Sequence, residues 1–189
     1  MGHPLQTLQS FVTTIYTIGH STRTLDELVA ALRGHGITTL VDIRSFPMSR
    51  RLPHFNRESL ETELPRCGIA CVWLKELGGR RKKIRDDSPN TGLRNDSFRN
   101  YADYMMTEEF AAGIDRLVEI AERGSTAIMC AERVWFRCHR MLVSDYLTAH
   151  GHIVLHIDDE KRAPREHELM TEARLVEGKL VYGQQQPLF

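Results

Sequence analysis

The sequence predicts an α/β fold: a single three-layer domain with a mostly parallel five-stranded sheet and helices on both faces. Three observations point there. Short apolar runs recur near residues 15–18, 39–43, 70–74, 127–130 and 152–157. The stretches between them carry apolar residues at helical spacing. Turn residues punctuate the joins, so strands alternate with crossover helices instead of pairing as hairpins. Right-handed crossovers then collect every strand-to-helix loop on one edge of the sheet.

Taken in order, residues 1–14 read as a weakly patterned leader, 15–157 as the α/β domain and 158–189 as a C-terminal extension. The first strand, Ile15–Ile18, ends in Gly19-His20-Ser21. Thr24 and Glu27 form a capping box. Leu25, Leu28, Val29 and Leu32 continue that helix, and Gly34 and Gly36 close it. The second strand, Thr39–Ile43, runs into Arg44-Ser45-Phe46-Pro47 and a loop with Ser49, Arg50 and Arg51. Asn56 is a natural N-cap for the helix bearing Leu60 and Leu64. The third strand, near Ala70–Leu74, turns out through Leu77-Gly78-Gly79. Residues 80–96 are polar and broken by Pro89 and Gly92, as in a surface loop or lid. Ser97 opens a helix with Phe98, Tyr101, Ala102 and Met105, and Thr107 opens another with Phe110, Ile114 and Leu117 on its apolar stripe. Ala127–Cys130 is the fourth strand. Leu142, Val143, Tyr146 and Leu147 mark a helix, and His152–Ile157 the fifth strand. Beyond it lie a polar helix-like piece at 166–172 and a hairpin about Glu177-Gly178.

A chain of 189 residues suits one domain with its own core. Lys plus Arg equals Asp plus Glu, at 25 each, so net charge predicts no partner and nucleic-acid contact requires local basic patches. No apolar run approaches a membrane span and no signal peptide is recognised, which makes the cytoplasm the expected compartment. The four cysteines are expected to be reduced there.

The chemistry concentrates in one stretch. Cys130, Glu132, Arg133, Arg137, Cys138, His139 and Arg140 fall within eleven positions, in the loop leaving the fourth strand. Such loops are where open α/β sheets bind ligands. Cys138 sits at a helix start among cationic groups, a setting that lowers a thiol pKa and suits a nucleophile; Cys130, at a strand end, reads first as a small buried apolar residue and second as part of the binding site. Glu132, His20 and His139 are acid–base candidates, although His20 also suits a tie between loops. Asp42 either pairs with Arg44 or orients it. Arg44, Arg50 and Arg140, with Ser21 and Ser45, suggest an oxyanion or phosphate clamp. A zinc site from Cys130, Cys138, His139 and His20 is disfavoured, because C-x7-C-H matches none of the close-paired metal motifs. No metal or cofactor is assigned.

These motifs together resemble the domain-of-unknown-function family 488. The matching pieces are Tyr16–Ser21, Val41–Pro47 with Ser49-Arg50, Phe55-Asn56, Leu77–Gly79, Phe98 with Tyr101-Ala102, and Cys130–Glu132 with Cys138–Arg140. The resemblance implies no particular activity. One departure is Val134-Trp135-Phe136, where the family usually has a polar, acidic turn. The Asp42-Ile43-Arg44 strand end also resembles rhodanese-type sulfurtransferases, but the loop after Cys130 is longer than theirs and holds a second cysteine.

The functional expectation is an enzyme of nucleic acid, in DNA repair or processing, using a hydrolytic or lyase step. Alternatives are an enzyme of small phosphorylated or sulfur-containing metabolites, or a non-catalytic anion- or nucleic-acid-binding module. The tail adds to the first. Gln185, Leu188 and Phe189 resemble the short peptide by which bacterial DNA polymerases and repair proteins dock on the sliding clamp.

Overall fold

The computed structural model describes residues 12–183. Its main sheet has six strands: β1 (Thr14–Gly19), β2 (Thr39–Asp42), β3 (Ala70–Trp73), β4 (Thr126–Cys130), β5 (Ile153–Ile157) and the short β6 (Arg165–Glu166), in the order β3-β2-β4-β1-β5-β6. The first five are parallel and β6 is antiparallel. The expected five-stranded parallel sheet is therefore present, with one short strand added at its edge. Helices α1 (Leu25–Gly34), α2 (Arg57–Arg66), α3 (Asp96–Tyr104), α4 (Glu108–Arg123) and α5 (Arg140–Ala149) supply the outer layers.

Strand residues alternate between two cores. Ile15, Val41, Ile128 and Val154 pack with Tyr101, Phe110, Leu117 and Leu142 from α3, α4 and α5. Ile18, Leu40, Ala127, Met129 and Ile157 face Leu28, Leu32, Leu60 and Leu64 from α1 and α2. A parallel sheet covered on both faces needs apolar residues at every strand position, which is why these strands read as continuous apolar runs.

The caps follow local chemistry with two differences. Thr24 and Glu27 make their reciprocal capping box, and Thr107 accepts from the Phe110 backbone N–H. Asn56 occupies the N-cap position of α2 as expected, but its side chain does not bond the helix; its Oδ1 accepts from the Ser49 backbone N–H and pins the preceding loop. Asn95, two residues before Ser97, caps α3.

After β5 no helix forms among residues 166–172. The chain makes β6, runs extended, then forms the hairpin of β7 (Ala173–Val176) and β8 (Lys179–Tyr182). This stretch is packed into the domain through buried His167, Leu180 and Tyr182. A hydrogen-bonded chain fixes it: Tyr182 donates to Asp145, which accepts from His167; His167 meets His156, and His156 meets Thr17. No helix among the described residues is long and apolar enough to cross a membrane. The tail residues Gln185, Leu188 and Phe189 lie outside the described residues.

Candidate active site

Strand order places β4 between β2 and β1, so the loop leaving Cys130 is flanked by the ends of both neighbours. The end of β1 is stitched to it: the backbone N–H groups of His20 and Ser21 donate to the carbonyls of Cys130 and Ala131. Gly19 permits this approach, since a Cβ there would overlap the backbone carbonyl of Glu132. The loop rises through Ala131 and Glu132, makes one 3-10 turn at Trp135–Arg137, and returns Cys138 and His139 to the level of Cys130. It thereby divides the sheet edge into two cavities.

The larger cavity, about 490 Å³, is lined by Cys130, Glu132, Cys138 and His139 with Arg44, Ser45, Phe46, Arg80 and Tyr101. Its inner end is the thiol–imidazole cluster. Cys130 Sγ lies 3.8 Å from His139 Nδ1. The opposite ring nitrogen, Nε2, is 2.9 Å from the Ile43 carbonyl oxygen. A carbonyl only accepts, so Nε2 carries the proton and Nδ1 turns a lone pair to the sulfurs. Gly79 backs onto the ring, and a Cβ there would overlap it. Tyr101 holds the neighbouring wall by donating its hydroxyl to Leu77 O at 2.8 Å.

The two thiols are inequivalent. The hydrogen bond donated by Cys138 draws the Cys130 thiol down to about 7, helped by backbone N–H groups of the loop and by Arg140. The same hydrogen bond, with burial, pushes Cys138 up to about 12. This corrects the expectation of a depressed thiol at Cys138. Its position beside a helix start and several arginines is real, but Cys138 is the thiol that keeps its proton, and the lowered thiol is Cys130.

The proposed clamp does not assemble. Arg140 is 1 % exposed, and its guanidinium donates to Thr17 Oγ1, to the Glu132 and Arg133 carbonyls and to Cys138 Sγ. It points into the domain and holds the loop's shape. Arg44 is likewise committed: Nε and NH2 grip Asp42, NH2 also reaches Phe55 O, and NH1 faces His20 Nε2 at 3.2 Å. Arg50 is exposed and lines neither cavity. The physical reason is burial. A guanidinium inside the domain must satisfy its donors there, and nearby carbonyls and Asp42 do so.

His20 and Ser21 line the smaller cavity, about 440 Å³, on the far side of the loop. Burial and the Arg44 charge lower His20 to about 4, so it is a neutral acceptor for Arg44 at neutral pH and sits apart from the thiols. Asp42 lines neither cavity and orients Arg44. The aromatic side chains near the loop divide between the interior and the cavity mouth. Trp135 stacks on His156 at 4.1 Å, within the fold. Phe46 and Met48, 70 % and 82 % exposed, stand at the mouth of the larger cavity, and the Arg80 guanidinium lies 5.9 Å from the Phe46 ring centre.

Leu77-Gly78-Gly79, a turn and a family motif in the sequence, has a packing role as well. Each glycine permits a close approach, Gly78 to Ser45 and Gly79 to His139, and the paired glycines were the available signal.

The family model described as Domain of unknown function DUF488 matches residues 24–147, about two thirds of the chain. No curated protein and no solved structure matches it.

Proposed function

This chain belongs to the DUF488 family, and on that premise we propose that it is an enzyme carrying out a hydrolytic or lyase step on a nucleotide-like substrate, free or at the end of a nucleic-acid strand. One observation carries the reading: Cys130, Cys138, His139 and Glu132 from one loop meet Arg44, Ser45 and Phe46 from the next strand end around a single cavity. Its volume, about 490 Å³, suits one nucleotide-sized molecule. The exposed Phe46 ring offers a face for a base, and Arg80 beside it offers a cation for phosphate. Glu132 is exposed on the loop two residues past Cys130, where a carboxylate can exchange protons with substrate. In the hydrolytic form it takes a proton from water as the water oxygen bonds to the electrophilic atom. The proton then passes to the leaving group.

A small phosphorylated or sulfur-containing metabolite is the second reading, and the basic loop favours it. Arg81 is tied to the carbonyls of Lys75, Glu76 and Gly78, and Lys83 pairs with Asp86. Two of the four cations in the run Arg80–Lys83 are thus engaged, which leaves Arg80, at the rim of the larger cavity, and exposed Lys82 for an anion, fewer than a long phosphate backbone would use. The DNA-repair form of the proposal, with docking on a sliding clamp, rests on the tail at Gln185, Leu188 and Phe189.

The test is a turnover and binding screen of the full chain against nucleotides, single-stranded, duplex and abasic DNA, RNA and phosphorylated metabolites, at two salt concentrations. Wild type and E132Q are compared. The reading expects turnover of a nucleotide or strand end that E132Q loses. Turnover confined to non-nucleotide metabolites would favour the second reading.

A further inference from the structure

We propose that Cys130, Cys138 and His139 form a binding site for a divalent metal ion of the zinc class, with its fourth position open to the larger cavity. The inference goes beyond the substrate reading and does not depend on it.

The two Sγ atoms and a ring nitrogen of His139 lie within 4.8 Å of one another, and all three residues are buried. Cys130 Sγ and His139 Nδ1 are 3.8 Å apart. Zinc holds sulfur at about 2.3 Å and nitrogen at about 2.0–2.1 Å in a tetrahedron, which places neighbouring ligand atoms about 3.5–3.8 Å apart. The observed spacing is thus close to that of a formed site, and small side-chain rotations would complete it.

The surroundings are those of a metal centre. A ligating histidine characteristically donates its other N–H to a carbonyl or carboxylate, which fixes its tautomer and aim. His139 does so to Ile43, leaving Nδ1 as an acceptor beside the sulfurs. Cys138 Sγ accepts from the Arg140 backbone N–H at 3.3 Å and from Arg140 Nε at 3.4 Å. Arg140 is buried, and among the described residues no carboxylate is one of its hydrogen-bond partners. A buried cation calls for a compensating anion, and metal-bound thiolate sulfur supplies one. Two thiolates and an imidazole select soft or borderline ions over magnesium or calcium. Three protein ligands leave one coordination position free, and Cys130, Cys138 and His139 all line the cavity, so water or a substrate atom has access to it.

Sequence spacing hid this site. Metal motifs are recognised by close pairs, whereas here a single 3-10 turn folds the loop so that its two ends meet.

The test uses the full chain, stripped with chelator and titrated with cobalt(II) as a spectroscopic substitute for zinc. One equivalent should bind with sulfur-to-cobalt charge-transfer absorption and the strong visible bands of four-coordinate cobalt, and zinc should abolish both. C130S and C138S should weaken binding by more than the roughly 10–100-fold that loss of an outer-shell partner costs. A second measurement needs no variant: in wild type, zinc should protect Cys130 and Cys138 from alkylation, with half-buried Cys67 and Cys71 as unprotected controls. A cobalt spectrum without the sulfur band, or zinc that leaves all four thiols reacting as in the stripped protein, would overturn the site. Either result leaves the nucleotide reading to its own test.

Discussion

Asp42 and Arg44, two residues apart where β2 ends, are locked together. Asp42 accepts from Arg44 Nε and NH2, and from the Arg44 backbone N–H at 3.0 Å. Both are buried, and Arg44 lines both cavities while spending its donors on Asp42, Phe55 and His20. The pair is therefore a strut that fixes the wall between two cavities. Removing one partner strands the other charge inside the domain. D42A and R44A should each lose about 3–5 kcal/mol of stability, the usual result of breaking a buried ion pair. Urea unfolding reads this directly. Loss of anion binding with unchanged stability in R44A would instead return Arg44 to the role of a phosphate ligand.

His156 makes stability sensitive to acid. Burial, with the nearby His167, lowers it to about 3, and His20 is lowered to about 4. Both are neutral in the fold, whereas in the unfolded chain each takes up a proton below about 6.5. The unfolded state therefore binds more protons between these values. Stability is full above about pH 6.5 and falls as pH drops towards the folded values. Urea midpoints measured at about pH 7.5 and about pH 5 should differ less in H156Q than in wild type. Equal slopes would mean that His156 does not carry its share.

Gly79 should tolerate no side chain. A Cβ there overlaps the imidazole of His139, so G79A must displace the ring or the turn. A cost of about 1–3 kcal/mol is expected, as for overpacking elsewhere, together with a fall in turnover. Thermal melting and activity should move together. Full activity in G79A would show that the ring's position is unimportant.

Phe46 and Arg80 are exposed, so F46A and R80A should leave stability within about 0.5 kcal/mol of wild type. If Phe46 stacks a base, F46A should raise KM by the equivalent of about 1–3 kcal/mol. A nucleotide KM unchanged in both variants would remove the base-binding part of the proposal.

Much of the sheet was legible because parallel strands buried on both faces announce themselves as apolar runs, and Thr24 and Thr107 cap as their side-chain chemistry dictates. The crossover rule put the loops bearing His20, Arg44, Glu132 and Arg140 on one edge, but only Arg44 and Glu132 of these line the larger cavity; His20 lines the smaller one and Arg140 turns inward. The direction of a side chain does not follow from that rule. Arg140 was expected to face a ligand and instead runs back through the domain to Thr17, because no sequence pattern says whether a guanidinium's donors are answered inside or outside. The partition of protons between Cys130 and Cys138 was equally hidden, since it depends on which sulfur donates to the other. Residues 165–182 read as an extension because their burial rests on partners distant in sequence: Tyr182 and His167 bond Asp145, the Tyr182 backbone N–H donates to Asn90, and Leu180 and Tyr182 join the core. The apolar Leu180-Val181-Tyr182 after the Glu177-Gly178 turn was the clue available.

Clamp docking is tested separately. A pull-down with a sliding clamp should retain the full chain and lose the chain lacking residues 184–189. Equal retention of the two would remove the main support for DNA repair as the setting.

The central claim is that chemistry takes place at the cavity walled by Cys130, Glu132, Cys138 and His139. Its most direct measurement is turnover of the substrate found in the nucleotide screen by wild type, C130A and E132Q, each first shown to melt as a folded protein. The account predicts that E132Q loses turnover by at least about 100-fold, the lower range of what one acid–base group contributes; because Glu132 borders both cavities, the comparison that places the chemistry is C130A, in the larger cavity, which also loses turnover, against H20Q, in the neighbouring cavity, which retains most of it. Wild-type turnover in C130A, with loss in H20Q, would contradict it and move the chemistry to the other side of the loop.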